Sequence, residues 1–133
     1  MRRLITVYLA TGVAFALVDY IWLTQFGPKV YFPTLDSVAM REARLGPAVV
    51  FYLAYIAGVL ALVVWPRRNE PLLRSTLYGG LLGALCYATY DLTNQATLKV
   101  WSTGITLTDI AWGTFITAFG ATVGAYVLRR MRR

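Results

Sequence analysis

The chain of 133 residues contains no histidine, one cysteine and six acidic residues. The absence of histidine excludes His-ligated haem and di-iron sites, zinc sites that use histidine, and every mechanism with a histidine base. The single cysteine, Cys86, cannot form an intrachain disulfide, and its apolar sequence neighbours favour a buried, inert thiol. Acid–base chemistry would fall to carboxylates, tyrosines or lysines. We therefore expect no metal site and no cofactor, and no catalytic residue can be assigned.

Apolar residues, by contrast, are abundant: 58% of the chain is hydrophobic and the mean hydropathy is +0.57. A transmembrane helix needs about 20 mostly apolar residues, and four segments are long enough. They predict an all-α membrane protein, a bundle of four transmembrane helices at about residues 4–26, 47–65, 74–98 and 105–128. The whole chain, residues 1–133, is expected to form one domain.

The first connection, residues 27–46, is more polar than the segments beside it. Pro28 disfavours a helical conformation at Gly27, so the first transmembrane helix is predicted to end there. Asp36 and Ser37 can then cap a short extramembrane helix that runs to about Arg44.

The 13 basic residues cluster at the ends of the apolar segments, which favours a role in membrane orientation over nucleic-acid binding. The first apolar segment lacks a clear cleavage site and reads as a membrane span rather than a signal peptide. Most bases lie at the N-terminus, in the 66–74 loop and in the tail at 129–133. The positive-inside rule then predicts a multi-pass protein with both termini in the cytoplasm.

Small residues recur at helical spacing in the last two predicted helices. Gly79 and Gly83 lie four residues apart, as do Gly120 and Gly124. In a membrane, this spacing allows two helix backbones to approach closely, so we expect close helix contacts at both pairs.

Polar side chains interrupt three of the four apolar segments. At about 1.5 Å of rise per residue, Asp19, Asp91 and Asp109 fall at similar depths in the outer half of the membrane. Ionisable groups at this depth are functional candidates by default. The candidate ligand-binding or proton-carrying residues are Asp19, Trp22, Tyr52, Tyr55, Tyr87, Asp91, Asn94, Gln95, Asp109 and Trp112.

Two Asp-x-x-Trp pairs, Asp19 with Trp22 and Asp109 with Trp112, lie on antiparallel helices. Each aspartate is expected to accept a hydrogen bond from the indole of the other helix. Two plainer interpretations stay open. The tryptophans can be interfacial, with Asp109 a solvated residue near a helix start, or the polar cluster can be purely structural.

Asp91 is the strongest candidate because it lies far from either end of its predicted helix. Asn94 and Gln95 lie one turn outward, Tyr87 lies one turn inward, and Tyr90 is adjacent. We therefore predict that Asp91 is the centre of a hydrogen-bond network.

Several motifs together resemble a known family. They are YATYDLTN at 87–94, ATLK at 96–99, Trp101, DIAWG at 109–113, D-x-x-W-L at 19–23 and FYL-x-Y at 51–55. This pattern resembles a bacterial family of small inner-membrane proteins known as domain of unknown function 2177, over nearly the whole chain. The resemblance implies four helices in the inner membrane and supplies no activity.

Three functions follow as hypotheses. The first is the binding or transport of a lipid-like or amphipathic small molecule in a pocket of carboxylates, tryptophans and tyrosines. The second is a membrane enzyme that uses aspartate acid–base chemistry on a lipid or isoprenoid, so whether the protein is an enzyme stays open. The third is an accessory subunit of a membrane complex. Membrane lipids are the expected partners, nucleic acid is not, and a homo-oligomer or larger complex is compatible with the sequence.

Overall fold

The computed structural model describes residues 1–132, and four helices make up most of this length. The helices are α1 (Arg2–Leu35), α2 (Leu45–Val64), α3 (Leu72–Thr97) and α4 (Thr103–Arg130). No strand occurs within residues 1–132, so the all-α class is confirmed. Arg133, the last base of the predicted tail, lies outside the described residues.

Three of the helices, α1, α2 and α4, are long and apolar enough to cross a membrane. Their outward surfaces carry many exposed leucines, valines and isoleucines, as expected of helices that face lipid. Helix α3 has 26 residues, but its polar side chains and glycines lower its hydropathy. The protein is therefore a helical membrane protein with several apolar helices.

Helix α1 does not end at Gly27, as the sequence predicted, but continues to Leu35. Residues Trp22–Phe26 form a π-helical turn, in which the Gly27 amide donates to the Trp22 carbonyl. Proline lacks an amide hydrogen and its ring clashes with the carbonyl four residues earlier, and a widened turn before Pro28 relieves that clash. The helix therefore passes the proline instead of stopping.

The same arrangement recurs in α2, just before Pro66. Residues Leu60–Val64 form a second π-helical turn, closed by a 2.8 Å bond from the Trp65 amide to the Leu60 carbonyl. The carbonyl four residues before the proline belongs to Leu62, and it accepts a 2.9 Å hydrogen bond from the Arg67 guanidinium. Here the helix does end, because the chain beyond Pro66 forms turns.

The prediction of a short extramembrane helix between Asp36 and Arg44 is wrong. Residues 36–44 form turns and bends, and the helical part of the connection is Gly27–Leu35, joined to α1. Within this segment an exposed ion pair joins Arg41 to Asp36 at 2.7 Å. Asp36 thus pairs with a base in the loop and follows the last residue of a helix, whereas the predicted helix would have begun there.

Helix α4 is central and contacts the other three. The glycine pair of α4, Gly120 and Gly124, faces α1. A methyl group on Gly120 would lie 3.2 Å from Phe15, and one on Gly124 would lie 2.7 Å from Thr11. The most extensive helix contact joins α3 to α4, and the glycine pair of α3, Gly79 and Gly83, lies in this contact. The close helix contacts predicted at both pairs are confirmed.

The interface of α3 and α4 has almost no space for side chains at two positions. A methyl group on Gly79 would lie 2.6 Å from the Ala121 side chain. One on Gly83 would lie 2.1 Å from the Gly113 carbonyl oxygen and 2.7 Å from the Thr117 hydroxyl. Backbones this close fix the depth of each α3 residue against its α4 neighbour, including the polar residues toward the end of α3.

Candidate functional site

The three aspartates are buried near one end of the bundle, on three different helices. Asp19 of α1 is 6% exposed, Asp91 of α3 is 0% exposed and Asp109 of α4 is 7% exposed. We call these three residues the aspartate layer. None of them faces the lipid-exposed surface, so the interpretation of Asp109 as a solvated residue does not fit its burial.

Asp19 is fully engaged with protein donors. Its Oδ1 accepts a 3.0 Å hydrogen bond from Trp112 Nε1 on α4, and its Oδ2 accepts one from the Tyr52 hydroxyl on α2. This carboxylate therefore connects α1, α2 and α4. The predicted bond from Trp112 to the aspartate of the other helix is confirmed.

Asp109 does not receive the matching bond from Trp22, so this half of the prediction is wrong. The hydroxyl of Tyr31 lies between them: it donates to Asp109 and accepts a 3.2 Å bond from Trp22 Nε1. The Tyr31 ring passes over Gly27, where a methyl group would lie 3.4 Å from it. Helical side chains lean toward the N-terminus, and a glycine four residues earlier leaves room for the ring.

Sequence reasoning missed Tyr31 because it placed residues 27–46 outside the membrane helices. A signal was present: a proline is tolerated in the first turn of a helical segment, and Gly27 precedes Tyr31 by four residues. With Tyr31 included, the aspartate layer is bonded to two phenols and one indole, and the second indole reaches it through Tyr31.

The two indoles also form part of the surface. Trp22 and Trp112 stack with ring centroids 4.4 Å apart and an 8° interplanar angle. Together with four α4 residues they line an open groove of about 520 Å³; those residues are Leu107, Thr108, Ala111 and Phe115. The groove is mostly apolar. The Trp112 N–H bonds directly to Asp19, and the Trp22 N–H is linked to Asp109 through the Tyr31 hydroxyl.

Asp91 differs from Asp19, because neither of its buried oxygens has a hydrogen-bond donor in residues 1–132. The predicted network around it is therefore wrong. Its side chain lies near that of Asp109 on the neighbouring helix, and no hydrogen bond joins the two carboxyl groups within residues 1–132. Two ionised carboxylates buried near each other repel, so this arrangement favours a proton on one of them.

Gln95 is bonded elsewhere, which explains part of that error. Its Oε1 accepts a 2.7 Å bond from the Thr106 hydroxyl, and its Nε2 donates to the Thr103 hydroxyl at 2.9 Å. Trp101 Nε1 donates to the same Thr106 hydroxyl at 3.0 Å. Gln95 therefore joins the end of α3 to the start of α4 by hydrogen bonds and forms none with Asp91.

The remaining candidates have separate surroundings. Asn94 makes no side-chain hydrogen bond within residues 1–132, although its carbonyl accepts from the Leu98 amide at the end of α3. Tyr55 shares a 2.8 Å hydrogen bond with Thr117. Tyr87 packs its ring directly across Gly113, where a methyl group would lie 2.1 Å from the ring. Tyr87 thus lies beside the aspartate layer, and Tyr55 lies deeper in the bundle.

Cys86 is exposed, so the prediction that its thiol is buried is wrong. It lies on an apolar groove of about 320 Å³ between α2 and α3, where Phe51 and Leu82 are among its neighbours. The apolar run that suggested burial in protein is a surface that faces away from the core. Within residues 1–132, no group of three His, Cys, Asp or Glu side chains is arranged to hold a metal ion.

These features define a class: a small helical membrane protein with a buried cluster of carboxyl groups. A sequence model of the family described as "Predicted membrane protein (DUF2177)" matches residues 4–126. The chain belongs to this family, so the resemblance seen in the motifs is confirmed. No curated protein and no solved structure matches the chain.

Proposed function

We propose that the chain crosses the bacterial inner membrane four times and has both termini in the cytoplasm. In this proposal α3 crosses the membrane in addition to the three more apolar helices α1, α2 and α4. Helix α3 is about 39 Å long at 1.5 Å per residue, enough to cross about 30 Å of hydrocarbon. Several of its least apolar residues, Ser75, Gly79, Gly83 and Asp91, are buried in the protein. Its low hydropathy therefore reflects a protein-facing side and does not prevent insertion.

The proposed orientation is tested by reporter fusion. An alkaline phosphatase fused after the last residue is expected to be inactive, and a fluorescent protein at the same position is expected to be bright, because the bases favour the cytoplasmic side. A fusion in the loop at 36–44 serves as the control and should give the reverse pattern. Active phosphatase at the C-terminus would contradict the proposed topology.

Within this arrangement, the protein is proposed to bind or transport a lipid-like or amphipathic small molecule, with the aspartate layer as the polar part of its site. The observation that carries the proposal is Asp91, whose two oxygens are buried without a donor. An aspartate kept only to hold helices together would be bonded as Asp19 is. A buried polar group without a partner destabilises the fold, so its presence favours a functional role.

The groove on Trp22 and Trp112 supplies the apolar part of the proposed site. Its volume of about 520 Å³ lies in the usual range for small-molecule sites, about 300–1,000 Å³. A ligand resting on the stacked indoles would lie one hydrogen bond from Asp19 and two from Asp109. A proton carried by one of the neighbouring carboxyl groups of Asp91 and Asp109 would then offer a way to couple the binding of a cation or polar headgroup to proton release.

A second candidate function uses the same carboxyl pair as the acid and base of a membrane enzyme. Two neighbouring carboxyl groups with one proton between them are suited to acid–base chemistry on an apolar substrate. The two functions differ in their products, because a binding protein releases its ligand unchanged. Lipid profiles of cells with and without the gene would show a new or missing product only for the enzyme.

The binding proposal is tested by mass spectrometry of lipids that copurify with the protein. We expect a molecule enriched with the wild type and with Asp36→Asn, a control that removes an exposed carboxylate in the loop. Asp91→Asn keeps the shape but not the titrating group, and its occupancy should fall about tenfold, equivalent to about 1.4 kcal/mol. Equal occupancy in all three proteins, or no enrichment in any of them, would contradict the proposal.

A further inference from the structure

A second site candidate lies at the opposite end of the bundle from the aspartate layer. Arg2 and Asp19 are 17 positions apart on α1, or about 25 Å along the helix axis. A cavity of about 460 Å³ at this end is lined by four arginines from three separate parts of the sequence. They are Arg2, Arg3, Arg68 and Arg132. We call this cavity the arginine pocket.

Specific contacts hold two of these arginines, Arg68 and Arg132, in place. Arg132 donates to the Arg68 carbonyl at 3.0 Å and to Asn69 Oδ1 at 2.8 Å, which attaches the end of α4 to the turn after α2. Arg68 donates to the Trp65 carbonyl at 2.8 Å, and its guanidinium lies 4.9 Å from the Trp65 ring centroid. These two guanidinium groups are thus held by neutral partners and have no carboxylate partner within residues 1–132.

No carboxylate within residues 1–132 forms an ion pair with these arginines, since the described ion pair joins Arg41 to Asp36 at the other end. Glu70 is the nearest acid in the sequence, and it lines a neighbouring cavity together with Arg68 and Arg132. Several like charges around one cavity repel each other, and an anion between them would relieve that repulsion.

The arginine pocket continues into an apolar groove. Leu4, Trp65 and Leu128 line both the pocket and a groove of about 490 Å³ between α1 and α2. The rest of this groove is lined by apolar side chains such as Leu9 and Ala61. A site for anionic headgroups thus opens directly onto a surface for a hydrocarbon chain.

We propose that the arginine pocket and this groove bind one anionic phospholipid, with its phosphate among the arginines and an acyl chain along the groove. Basic pockets at helix ends on the cytoplasmic side of a membrane are suited to anionic lipid headgroups. Guanidinium groups form charge-assisted, bidentate hydrogen bonds with phosphate. Free phosphate would leave the groove empty, and a neutral lipid would leave the arginine charges unpaired.

The test measures phosphatidylglycerol binding by native mass spectrometry of the full-length protein, with phosphatidylcholine as the neutral comparison. Phosphatidylglycerol should bind with one preferred site, and the double variant Arg68→Gln/Arg132→Gln should weaken that binding about tenfold. The control Arg74→Gln/Arg130→Gln removes two charges from the same end outside the pocket, and should change it about twofold or less. Equal losses in the two double variants would show general surface attraction and overturn the proposal.

A second pair of variants tests the groove and separates a lipid from free phosphate. Ala61→Trp fills the groove and should weaken phosphatidylglycerol binding, whereas Leu62→Trp, on a different groove, should not. Inorganic phosphate at the same concentration should not displace the lipid. Displacement by phosphate, or no effect of Ala61→Trp, would overturn the lipid assignment.

Discussion

Gly83→Ala is expected to destabilise the protein by about 3 kcal/mol, because overpacking a tight interface costs about 1–3 kcal/mol and more where backbone must move. The added methyl group would lie 2.1 Å from the Gly113 carbonyl oxygen on α4. A backbone oxygen cannot rotate away as a flexible side chain can, so α3 and α4 must separate.

That separation should also disturb the polar interior. Thr117, which the methyl group would approach to 2.7 Å, holds the hydroxyl of Tyr55 at 2.8 Å. Asp91 and Asp109 are buried on the same two helices. The variant should therefore lose bound ligand together with stability.

Thermal unfolding in detergent, followed by circular dichroism, measures the effect. Gly58→Ala is the matched control, because nothing lies within 4 Å of a methyl group there and alanine favours a helix interior over glycine. It should leave the midpoint unchanged or raise it slightly. A Gly83→Ala protein as stable as the Gly58→Ala protein would contradict the close approach of α3 and α4.

Spacing alone predicted the features that depend on helix periodicity and depth. The glycine pairs at 79 and 83 and at 120 and 124 indicated close contacts, and each pair does meet another helix. The bond between Trp112 and Asp19 followed from two antiparallel helices that carry the same pair of residues. These predictions needed only the rise per residue and the need to pair polar groups in hydrocarbon.

The same reasoning missed Tyr31, because its position depends on what the backbone does at Pro28. Proline normally ends a helical pattern, and the π-helical turn that allows the helix to continue has no clear sequence signature. The bond from Tyr31 to Asp109 then excludes Trp22 from the role assigned to it.

The network expected at Asp91 failed for a different reason. Sequence spacing places Gln95 on the same side of α3, but it does not say which acceptor or donor the amide will choose. The threonines at the start of α4 offer Gln95 both a donor and an acceptor, at 2.7 Å and 2.9 Å. Asp91 is left with another carboxyl group as its neighbour, which spacing on one helix cannot predict.

The contrast between Asp19 and Asp91 predicts opposite results for the same substitution. Asp19→Asn should lower the free energy of unfolding by about 2 kcal/mol, because leaving a buried donor unsatisfied costs about 1–3 kcal/mol. The amide retains one acceptor oxygen, and Trp112 can only donate to it. The NH₂ group would then meet the Tyr52 hydroxyl, which now donates to Asp19 and would lose its acceptor.

Asp91→Asn breaks no hydrogen bond, since neither oxygen of Asp91 accepts one from a donor in residues 1–132. It also removes the cost of burying a group that can ionise, so the variant should be as stable as the wild type or more stable. A site in which function is retained at the expense of stability commonly behaves in this way. Reversible unfolding in mixed micelles measures both variants under one condition.

A double-mutant cycle separates the hydrogen bond of Asp19 from other effects of its replacement. Tyr52→Phe removes one of the two donors, so Asp19→Asn should cost less in that background, with a coupling energy of about 1 kcal/mol. If Asp91→Asn instead loses as much stability as Asp19→Asn, then Asp91 also holds the helices together and its proposed role in binding loses its main support. If Asp91→Asn folds normally and loses only its ligand, the two aspartates have different roles: Asp19 stabilises the bundle and Asp91 serves the site.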